Sequence, residues 1–560
     1  MTRRKRASPE VAESDGTAHA AHPIRSGAAP WSSGARAWLV RAGPSALLVV
    51  ITLLAYAPTV RNGFVWDDAF IVVSNPDTRD LAALPRVLLS PDETPPYYRP
   101  LNRASYLLDY QLFGMNPLGF HSVNLALHLA NVLALYALAR RLFATPGPAF
   151  VAALLMAVHP INAEAVEFIT GRNNLLATVF ALASLVLLID ADRHASWGRA
   201  CASAGCFLLG LLSKEPAAMA LPLMAAWLLV PPLSGRGSRG RAAWLTPHVA
   251  ALAIYLALRV VSLGGVQGVA PEASGPAAAI TDRLLLNLWT IPRDLDLVVL
   301  PRGLAIFHVV ERQVTPAVIV TWLGALGVAA ALLARPSAGS TLGLAWFVLN
   351  LAPISNLVAI PTSTLVAERY LYAPAVGLWL IAADLVRRAM DRVGWRPVAI
   401  GVSAVTAVLA LATAARALDW RDDLSLARSA VQAEPSSSEA HYNLGVALKD
   451  LGDLGAARDA WETASRLDPT HARAVAQLAT AAAVAGRLDE AEAGLRRALA
   501  LDPRLALARY NLARLLDLAG RAGEAVEQYQ AFLSQARSSA DAPYVPRARE
   551  RLARLRSRSP

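Results

Sequence analysis

The chain has 560 residues, of which 55% are hydrophobic and 17% are charged. A soluble fold of this size cannot cover so much apolar surface, so the composition predicts a membrane protein and excludes an ordinary soluble enzyme. The net charge of +11 comes mainly from arginines in short loops and in the C-terminal region. Because no basic patch is interleaved with aromatic residues, we expect no nucleic-acid partner.

The first forty residues are polar and precede any apolar stretch. They carry a basic run at residues 3–6, which predicts a disordered cytoplasmic tail over residues 1–40. This tail is too long for a simple cleaved signal, and the apolar run after it lacks a small-residue cleavage pattern. We therefore expect the first span to remain uncleaved.

Residues 41–420 contain eleven apolar stretches that are candidates to cross a bilayer. A span must cross hydrocarbon about 30 Å thick, and several of the stretches are shorter than twenty residues. They lie at residues 43–60, 122–139, 148–159, 174–191, 200–213, 216–232, 246–263, 315–334, 340–357, 370–386 and 397–416. Alternate loops are rich in arginine, as at residues 140–141 and 387–388, which is typical of cytoplasmic loops. The pattern predicts eleven spans, a cytoplasmic N-terminus and an extracytoplasmic C-terminal region.

This topology places five segments outside the cell membrane. They cover residues 61–121, 160–173, 213–216, 264–314 and 358–369. Within the fourth segment, residues 282–300 have the apolar spacing of a helix that either lies along the interface or packs as a short surface helix.

A 34-residue period follows the last apolar stretch. Pro435, Pro469 and Pro503 recur at this spacing in an alanine-, leucine- and arginine-rich region. The period is that of tetratricopeptide repeats, in which each helix pair buries its face only against a neighbouring pair. We expect repeats at about 438–471, 472–505 and 506–539 within a domain at 436–540, followed by a basic tail at 541–560. The predicted fold is all-α, with a polytopic helical domain followed by an α-solenoid.

Acids and cations gather on the predicted outer side. A site for a phosphorylated lipid donor needs cations for the phosphate and a carboxylate that can deprotonate an incoming hydroxyl. The outer segments and the span ends beside them supply both kinds of group: Asp67, Asp68, Arg99, Glu164, Arg172, Lys214, Glu215, Glu368 and Arg369. The same segments also contain His121, Asn124 and His159.

Six motifs in order resemble those of one known family. They are Trp66-Asp67-Asp68, Tyr98-Arg99-Pro100-Leu101, Phe113-Gly114 through Asn116-Pro117 to His121 and Asn124, His159-Pro160 through Glu164-Ala165-Val166 to Gly171-Arg172, Ser213-Lys214-Glu215, and Glu368-Arg369-Tyr370-Leu371-Tyr372. The set resembles that of the transmembrane and tetratricopeptide-repeat O-mannosyltransferase-like proteins and their bacterial relatives. The resemblance implies a fold like the C-type glycosyltransferases, which take sugar from a polyprenyl-phosphate donor on the extracytoplasmic side.

The resemblance also implies roles for individual residues. Asp67 and Asp68 match the acidic motif of the first outer loop; one of them would be the catalytic base, with a slight preference for Asp68. The expected donor-phosphate ligands are Arg99, Arg172 and Lys214, and the expected supporting residues are Glu164, His159, Glu215, Glu368 and Arg369. The two arginines could instead pair with carboxylates or lipid headgroups, and Lys214 could instead pair with Glu215 or Asp67.

Structural roles remain alternatives for several of these residues. The two aspartates could cap a helix or mark a turn, and Glu164 could simply accept from Arg172. His121 and His159 fit hydrogen-bonded interface residues better than ligands. Glu368 and Arg369 could form a local ion pair at the start of the tenth span.

The leading interpretation is an integral-membrane glycosyltransferase. It would move a sugar, with mannose as one candidate, from a polyprenyl-phosphate carrier to an extracytoplasmic protein or glycan acceptor recruited by the repeats. We expect no cofactor and no metal, membrane lipids as partners, and a bacterial inner membrane with periplasmic repeats. One alternative is a non-enzymatic membrane-anchored repeat scaffold for envelope proteins. A transporter is disfavoured because the charges lie at the outer face and not at the bilayer midplane.

Overall fold

The computed structural model describes residues 33–91, 97–230, 241–264, 280–355, 364–536 and 541–558. Within these ranges the chain forms helices and turns without a strand, which confirms the all-α prediction. The chain divides into two compact units, Met1–Ala46 and Leu47–Pro560. Helix α1, Ser33–Ala55, begins in the first unit and ends in the second. The predicted cytoplasmic tail lies largely outside the described residues.

The second unit begins with a helical membrane domain. Its helices are α2 (Leu84–Leu89), α3 (Pro100–Phe113), α4 (Pro117–Leu142), α5 (Pro146–Val158), α6 (Ala163–Glu167), α7 (Arg172–His194), α8 (Trp197–Ser213), α9 (Ala220–Leu229), α10 (Thr246–Leu263), α11 (Ile280–Val299), α12 (Pro316–Ala334), α13 (Ala338–Leu351), α14 (Glu368–Val393) and α15 (Trp395–Asp419). Helix α11 covers the stretch predicted as an interfacial or surface helix.

Six helical stretches in the described ranges are long and apolar enough to cross a membrane. They are Pro117–Leu142, Ile169–His194, Arg241–Leu263, Pro316–Ala334, Glu368–Val393 and Trp395–Asp419. A seventh is obtained if Pro146–Val158 and Pro160–Glu167, bent by 53°, count as one span. The protein is thus an integral membrane protein, but the predicted eleven spans are not confirmed. Several predicted spans form shorter helices, such as the 17-residue α8, which reaches only about 25 Å at 1.5 Å per residue.

The membrane helices pack around α4, α5, α7 and α14. Helices α13 and α14 touch backbone to backbone, because a methyl group added to Gly343 would lie 2.7 Å from the carbonyl oxygen of Gly377. Small residues allow such close approach where lipid supplies little hydrophobic drive for association. Helix α12 lies at the periphery, because only 6% of its most apolar 18-residue stretch is buried. Its exposed apolar side chains suit contact with lipid.

A solenoid of helix pairs follows the membrane domain. After α16 (Asp423–Ala433), the pairs are α17 (Ser438–Asp450) with α18 (Leu454–Leu467), α19 (Ala472–Val484) with α20 (Leu488–Leu501), and α21 (Ala506–Leu518) with α22 (Ala522–Gln535), before α23 (Val545–Arg558). The turn inside each pair contains a glycine with positive φ, at Gly452, Gly486 and Gly520. Only glycine adopts this conformation without steric cost, so the turn inside each pair requires glycine at the same place in every 34-residue repeat.

Candidate functional site

The first loop after α1 carries the acidic pair in an unusual backbone conformation. Trp66 has φ of 54°, although it is not a glycine, and a π-helical turn at Ala69–Val73 follows the pair. The Trp66 ring stacks on Phe168 with centroids 5.1 Å apart and meets the Phe307 ring edge-on at 5.4 Å. A left-handed residue held by such packing is typical of a functional site.

Asp68 uses its carboxylate to join two loops. It is fully buried, and its oxygens accept from the backbone N–H groups of Val65 at 3.2 Å and Thr170 at 3.0 Å. Burial raises the pKa of Asp68 to about 7, although these hydrogen bonds act in the opposite direction. Because both carboxylate oxygens accept backbone hydrogen bonds, Asp68 has a structural role: it connects the first loop to the segment before α7.

Asp67 is the more open member of the pair. It is half-buried, and its carboxylate forms no hydrogen bond or ion pair with any residue that the structure describes. Burial raises the pKa of Asp67, while the positive charges of Arg369 and Arg473 lower it. The geometry therefore favours Asp67 as the catalytic base, against the slight preference for Asp68 drawn from the motif.

Arg369 and Glu164 form an ion pair beside Asp67. The Arg369 guanidinium and its backbone N–H both donate to the Glu164 carboxylate, the latter at 2.8 Å. Glu164 is fully buried, so this pairing neutralises a charge that water cannot reach. The expected bond from Arg172 to Glu164 is absent from the described contacts, because Arg369 occupies both carboxylate oxygens. Arg369 also lies over the rings of Trp66 and Tyr370, at 5.2 and 5.0 Å.

Glu368 and Arg369 do not pair with each other, which contradicts the predicted local ion pair. Successive residues of α14 point in different directions, and Glu368 turns to Arg416 of α15 at 3.2 Å. His308 approaches the same carboxylate at 3.7 Å. Glu368 therefore joins α14 to α15, while Arg369 faces the acidic loop.

Arg172 is committed to the protein interior. Its side chain is fully buried and pairs with Asp109 at 2.6 Å, and its Nε donates to Asn124 at 2.7 Å. A further nitrogen donates to the Phe120 carbonyl at 3.0 Å. This contradicts the predicted phosphate-binding role, because the guanidinium fills its donor positions within α3 and α4 and has no exposed surface.

Arg99 is held by a carboxylate at the start of α3. Its Nε and one terminal nitrogen donate to a single oxygen of Glu215, at 3.0 and 2.8 Å. Arg259 approaches the other oxygen of Glu215 at 3.5 Å. Glu215 therefore joins Arg99 and Arg259 near the predicted phosphate site.

Lys214 lines a small open cleft between α7, α13 and α14. Its ammonium donates to the side-chain oxygen of Asn174 and lies 5.6 Å from the centre of the Tyr370 ring. The cleft also contacts apolar parts of α7, α13 and α14, including Trp346 and Pro374. Burial and the nearby charges of Arg99 and Arg369 lower the pKa of Lys214. A cation at the rim of an apolar cleft suits an anionic headgroup with a hydrocarbon tail.

The two predicted histidines occupy buried structural positions. The His121 Nε2 lies 3.1 Å from the Gly63 carbonyl oxygen. The Nδ1 of His159 accepts from the backbone N–H of Ile161 at 3.2 Å, and its ring packs against Trp379. Within the described ranges, no group of three or more histidine, cysteine, aspartate or glutamate residues is placed to hold a metal ion.

Comparisons with known proteins support the motif resemblance. The sequence profile described as dolichyl-phosphate-mannose-protein mannosyltransferase matches residues 104–262, and the tetratricopeptide-repeat profile matches residues 438–471. The protein O-mannosyl-transferase F38B6.6 of Caenorhabditis elegans is 27% identical over 443 residues, which cover 74% of this chain and 61% of the relative. The chain is therefore similar in sequence to protein O-mannosyltransferases. It spans about three fifths of the length of this worm relative.

Two further similarities concern parts of the relatives. The mouse protein O-mannosyl-transferase TMTC1 is 40% identical over 157 residues, covering 26% of this chain and 17% of the mouse protein. The archaeal oligosaccharyltransferase AglB from Archaeoglobus fulgidus, solved with an inhibitory peptide and a dolichol-phosphate, aligns with a TM-score of 0.42 and 15% identity. That alignment covers 70% of this chain and 56% of the archaeal chain.

Two residues that lie near the site were not identified from the sequence. Asn174 binds Lys214 two positions after Arg172, and the Asp423 carboxylate accepts from the backbone N–H of Trp66. Asn174 could have been found, because it lies only two residues beyond the motif that ends at Arg172. The contact of Asp423 could not, because it joins residues 357 positions apart.

Proposed function

We propose that this protein is a membrane glycosyltransferase that transfers a sugar from a polyprenyl-phosphate donor to a hydroxyl of a protein or glycan acceptor. The similarity to protein O-mannosyltransferases favours mannose as the sugar and protein as the acceptor. The observation that carries the proposal is the carboxylate of Asp67, which has no ion pair among the described residues. It lies near Arg369, which shares the Tyr370 ring with Lys214 of the cleft. Such a site can both accept a proton and hold a lipid phosphate.

Asp67 acts as the general base in this proposal. Its carboxylate takes the proton of the acceptor hydroxyl as the hydroxyl oxygen forms a bond to the anomeric carbon. The bond from that carbon to the phosphate oxygen breaks, and the lipid phosphate leaves with the electron pair. A raised pKa makes Asp67 a stronger base than an exposed aspartate once it is ionised. We include no metal or cofactor, since phosphate can leave without a strong general acid.

The donor occupies the cleft beside Lys214. Lys214 and Arg369 lie on the same aromatic ring, Tyr370, at 5.6 and 5.0 Å from its centre. Arg369 is already paired with Glu164, whereas Lys214 bonds to the neutral amide oxygen of Asn174, so we assign the phosphate to Lys214. The apolar cleft walls then receive the first part of the polyprenyl chain. Arg99 is held by Glu215 near this cleft, whereas Arg172 has a structural role.

The acceptor approaches from the repeats. Ala440 of the first repeat packs in one apolar cluster with Val65 and Trp420, so the solenoid begins directly at the acidic loop. The repeats therefore present a recruited protein segment beside Asp67. In a bacterial inner membrane this face is periplasmic, which agrees with the arginine bias of the alternate loops.

Replacing Asp67 with asparagine tests the function. The full chain in membrane vesicles receives polyprenyl-phosphate mannose, and release of polyprenyl phosphate is measured together with mannose on membrane proteins. General-base catalysis contributes about 10²–10⁴-fold, so Asp67→Asn should lower transfer at least about a hundredfold. Asp80→Asn is the matched control, because Asp80 is exposed in the same loop and asparagine preserves its bond to Ala82.

Equal transfer by Asp67→Asn and Asp80→Asn would overturn the assignment of the base. A scaffold predicts that outcome together with unchanged capture of envelope proteins. Transfer of another polyprenyl-phosphate sugar in preference to mannose would keep the reaction and correct the sugar.

A further inference from the structure

The acidic loop is bonded to the segment that leads into the repeats. The backbone N–H of Trp66 donates to Oδ1 of Asp423 at 2.7 Å, and the N–H of Gly63 donates to the Arg421 carbonyl at 3.0 Å. A methyl group added to Gly63 would lie 3.3 Å from the same carbonyl oxygen. These contacts set the first outer loop directly against the start of α16.

The Asp423 side chain does not cap its own helix. The neighbouring Asp422 caps α16, since its side chain accepts from the N–H of Ser425 at 2.8 Å. The Asp423 carboxylate is therefore available for the distant Trp66. A bond between an ionised carboxylate and a backbone N–H is about twice as strong as a neutral one.

Trp66 needs such support because its backbone is strained. A left-handed conformation is unfavourable for a non-glycine residue, because it brings the Cβ atom too close to the following carbonyl oxygen. The Asp423 bond holds the residue's backbone, while Phe168, Phe307 and Arg369 surround its ring. These partners come from three separate segments, so tertiary packing and not local sequence maintains the conformation.

We propose that Asp423 is a positioning residue that fixes Trp66 in the left-handed conformation and thereby aims the Asp67 carboxylate at the acceptor hydroxyl. This inference rests on the proposed function. The direction of the Asp67 side chain follows from the peptide that joins it to Trp66, so release of Trp66 turns the carboxylate away. A displacement of about 1 Å at a reacting group can cost about a hundredfold in rate. Asp423 also belongs to the helix that precedes the first repeat, so docking of the solenoid assembles the site.

The test compares three variants of the full chain in detergent or vesicles. Asp423→Ala removes the acceptor oxygen, Asp423→Asn keeps an oxygen without the charge, and Asp422→Asn removes the same charge one residue away while preserving the helix cap. Sugar transfer is measured with polyprenyl-phosphate mannose, and hydrogen exchange is measured on peptides covering residues 63–70 and 438–471. The exchange readout does not depend on activity.

We expect Asp423→Ala to lower kcat by about 10–100-fold while the donor KM changes less than about threefold, since the donor cleft is untouched. Asp423→Asn should recover part of kcat, and Asp422→Asn should resemble the unmodified chain. Exchange should accelerate over residues 63–70 in Asp423→Ala and stay unchanged over 438–471. If Asp423→Ala does not fold, the kcat of Asp423→Asn relative to Asp422→Asn decides the matter.

Two results would overturn the inference. Unchanged exchange over residues 63–70 would show that Asp423 does not hold Trp66, and faster exchange with normal kcat would show that the contact does not aim the base. Failure of the proposed function is recognised separately, because Asp67→Asn would then match its Asp80→Asn control whatever the exchange data show.

Discussion

The two ends of the helical bundle use their charges differently. Where α4, α7 and α14 finish, arginines pair with acids of another segment or of their own helix. The pairs are Arg141 with Asp190, Arg241 with Asp192, and Arg387 and Arg388 with Asp384 of the same helix α14, at 2.5–2.9 Å. Where α7 and α14 begin, Asp67 has no described ion pair and Lys214 bonds to an amide oxygen. Charges at the first end form ion pairs, whereas the second end holds, besides pairs such as Arg369 with Glu164, an aspartate and a lysine that keep capacity for a ligand.

The largest expected effect comes from breaking the buried pair at the ligand end. Glu164→Ala leaves the Arg369 guanidinium, 14% exposed, without its counter-charge. Removing one partner of a buried pair costs about 3–5 kcal/mol, and the free energy of unfolding in detergent should fall by that amount. Chemical denaturation of the purified protein measures the change.

The matched control lies at the opposite end. Asp190→Ala removes the partner of Arg141, and both side chains are about a quarter exposed, so water replaces the lost contact. That pair should contribute less than about 1 kcal/mol. Equal losses in the two variants would contradict the distinction between the two ends.

Sequence reasoning found the components of this end but not their partners. The 34-residue period predicts the helix pairs because repeated glycine turns and alanine faces are local features. The motif residues assemble where α7 and α14 begin, as their order along the chain indicates. The ion-pair partners depend on side-chain directions that no local sequence pattern encodes. Arg172 points towards α3 and α4 and pairs with Asp109, while Arg369 pairs with Glu164, the acid that was expected to bind Arg172. The choice between Asp67 and Asp68 likewise depends on one left-handed residue.

The number of spans was unpredictable for a related reason. Apolar composition shows that a segment can be buried in lipid or protein, but not how long its helix continues. The bend of 53° between α5 and the helical segment after it occurs at His159-Pro160, where proline removes a backbone donor. Helix length is decided by such breaks and by packing against α14.

An intermediate effect is expected for Lys214→Gln. A hydrogen bond to a charged group contributes about 1.5–3 kcal/mol, so the donor KM should rise at least about tenfold while kcat changes little. Initial rates over a range of polyprenyl-phosphate mannose concentrations measure this. Because burial and the charges of Arg99 and Arg369 lower the pKa of Lys214, donor affinity should also weaken as the pH rises and the ammonium loses its proton.

Arg388→Gln provides the corresponding control. It removes one positive charge at the other end of the bundle, where Arg387 still pairs with Asp384 at 2.9 Å. The donor KM should remain within about twofold of the unmodified value, because a screened charge so far away does not reach the cleft. A similar rise in both variants would mean that Lys214 acts only through net charge.

The smallest expected effect is on the pKa of Asp67. It distinguishes the contribution of a cation in the repeats from that of a cation in the membrane helices. Burial raises the pKa of Asp67, and Arg473 of the second repeat lowers it together with Arg369. Arg473→Gln removes one of these cations, so the pKa should rise and the pH at which transfer becomes fast should move upward. Rate falls below that pH because a protonated carboxyl cannot accept the acceptor's proton.

The shift should be less than about one pH unit, because the Arg473 side chain is 45% exposed and water screens its charge. Arg473→Lys, which keeps the charge, should restore the original profile, and added salt should reduce the difference between the variants. A fall in the rate plateau at high pH without a shifted midpoint would instead assign Arg473 to acceptor binding. An unchanged profile and plateau would leave Arg369 as the cation that controls the base, and the solenoid would act on the site through the position of the loop alone.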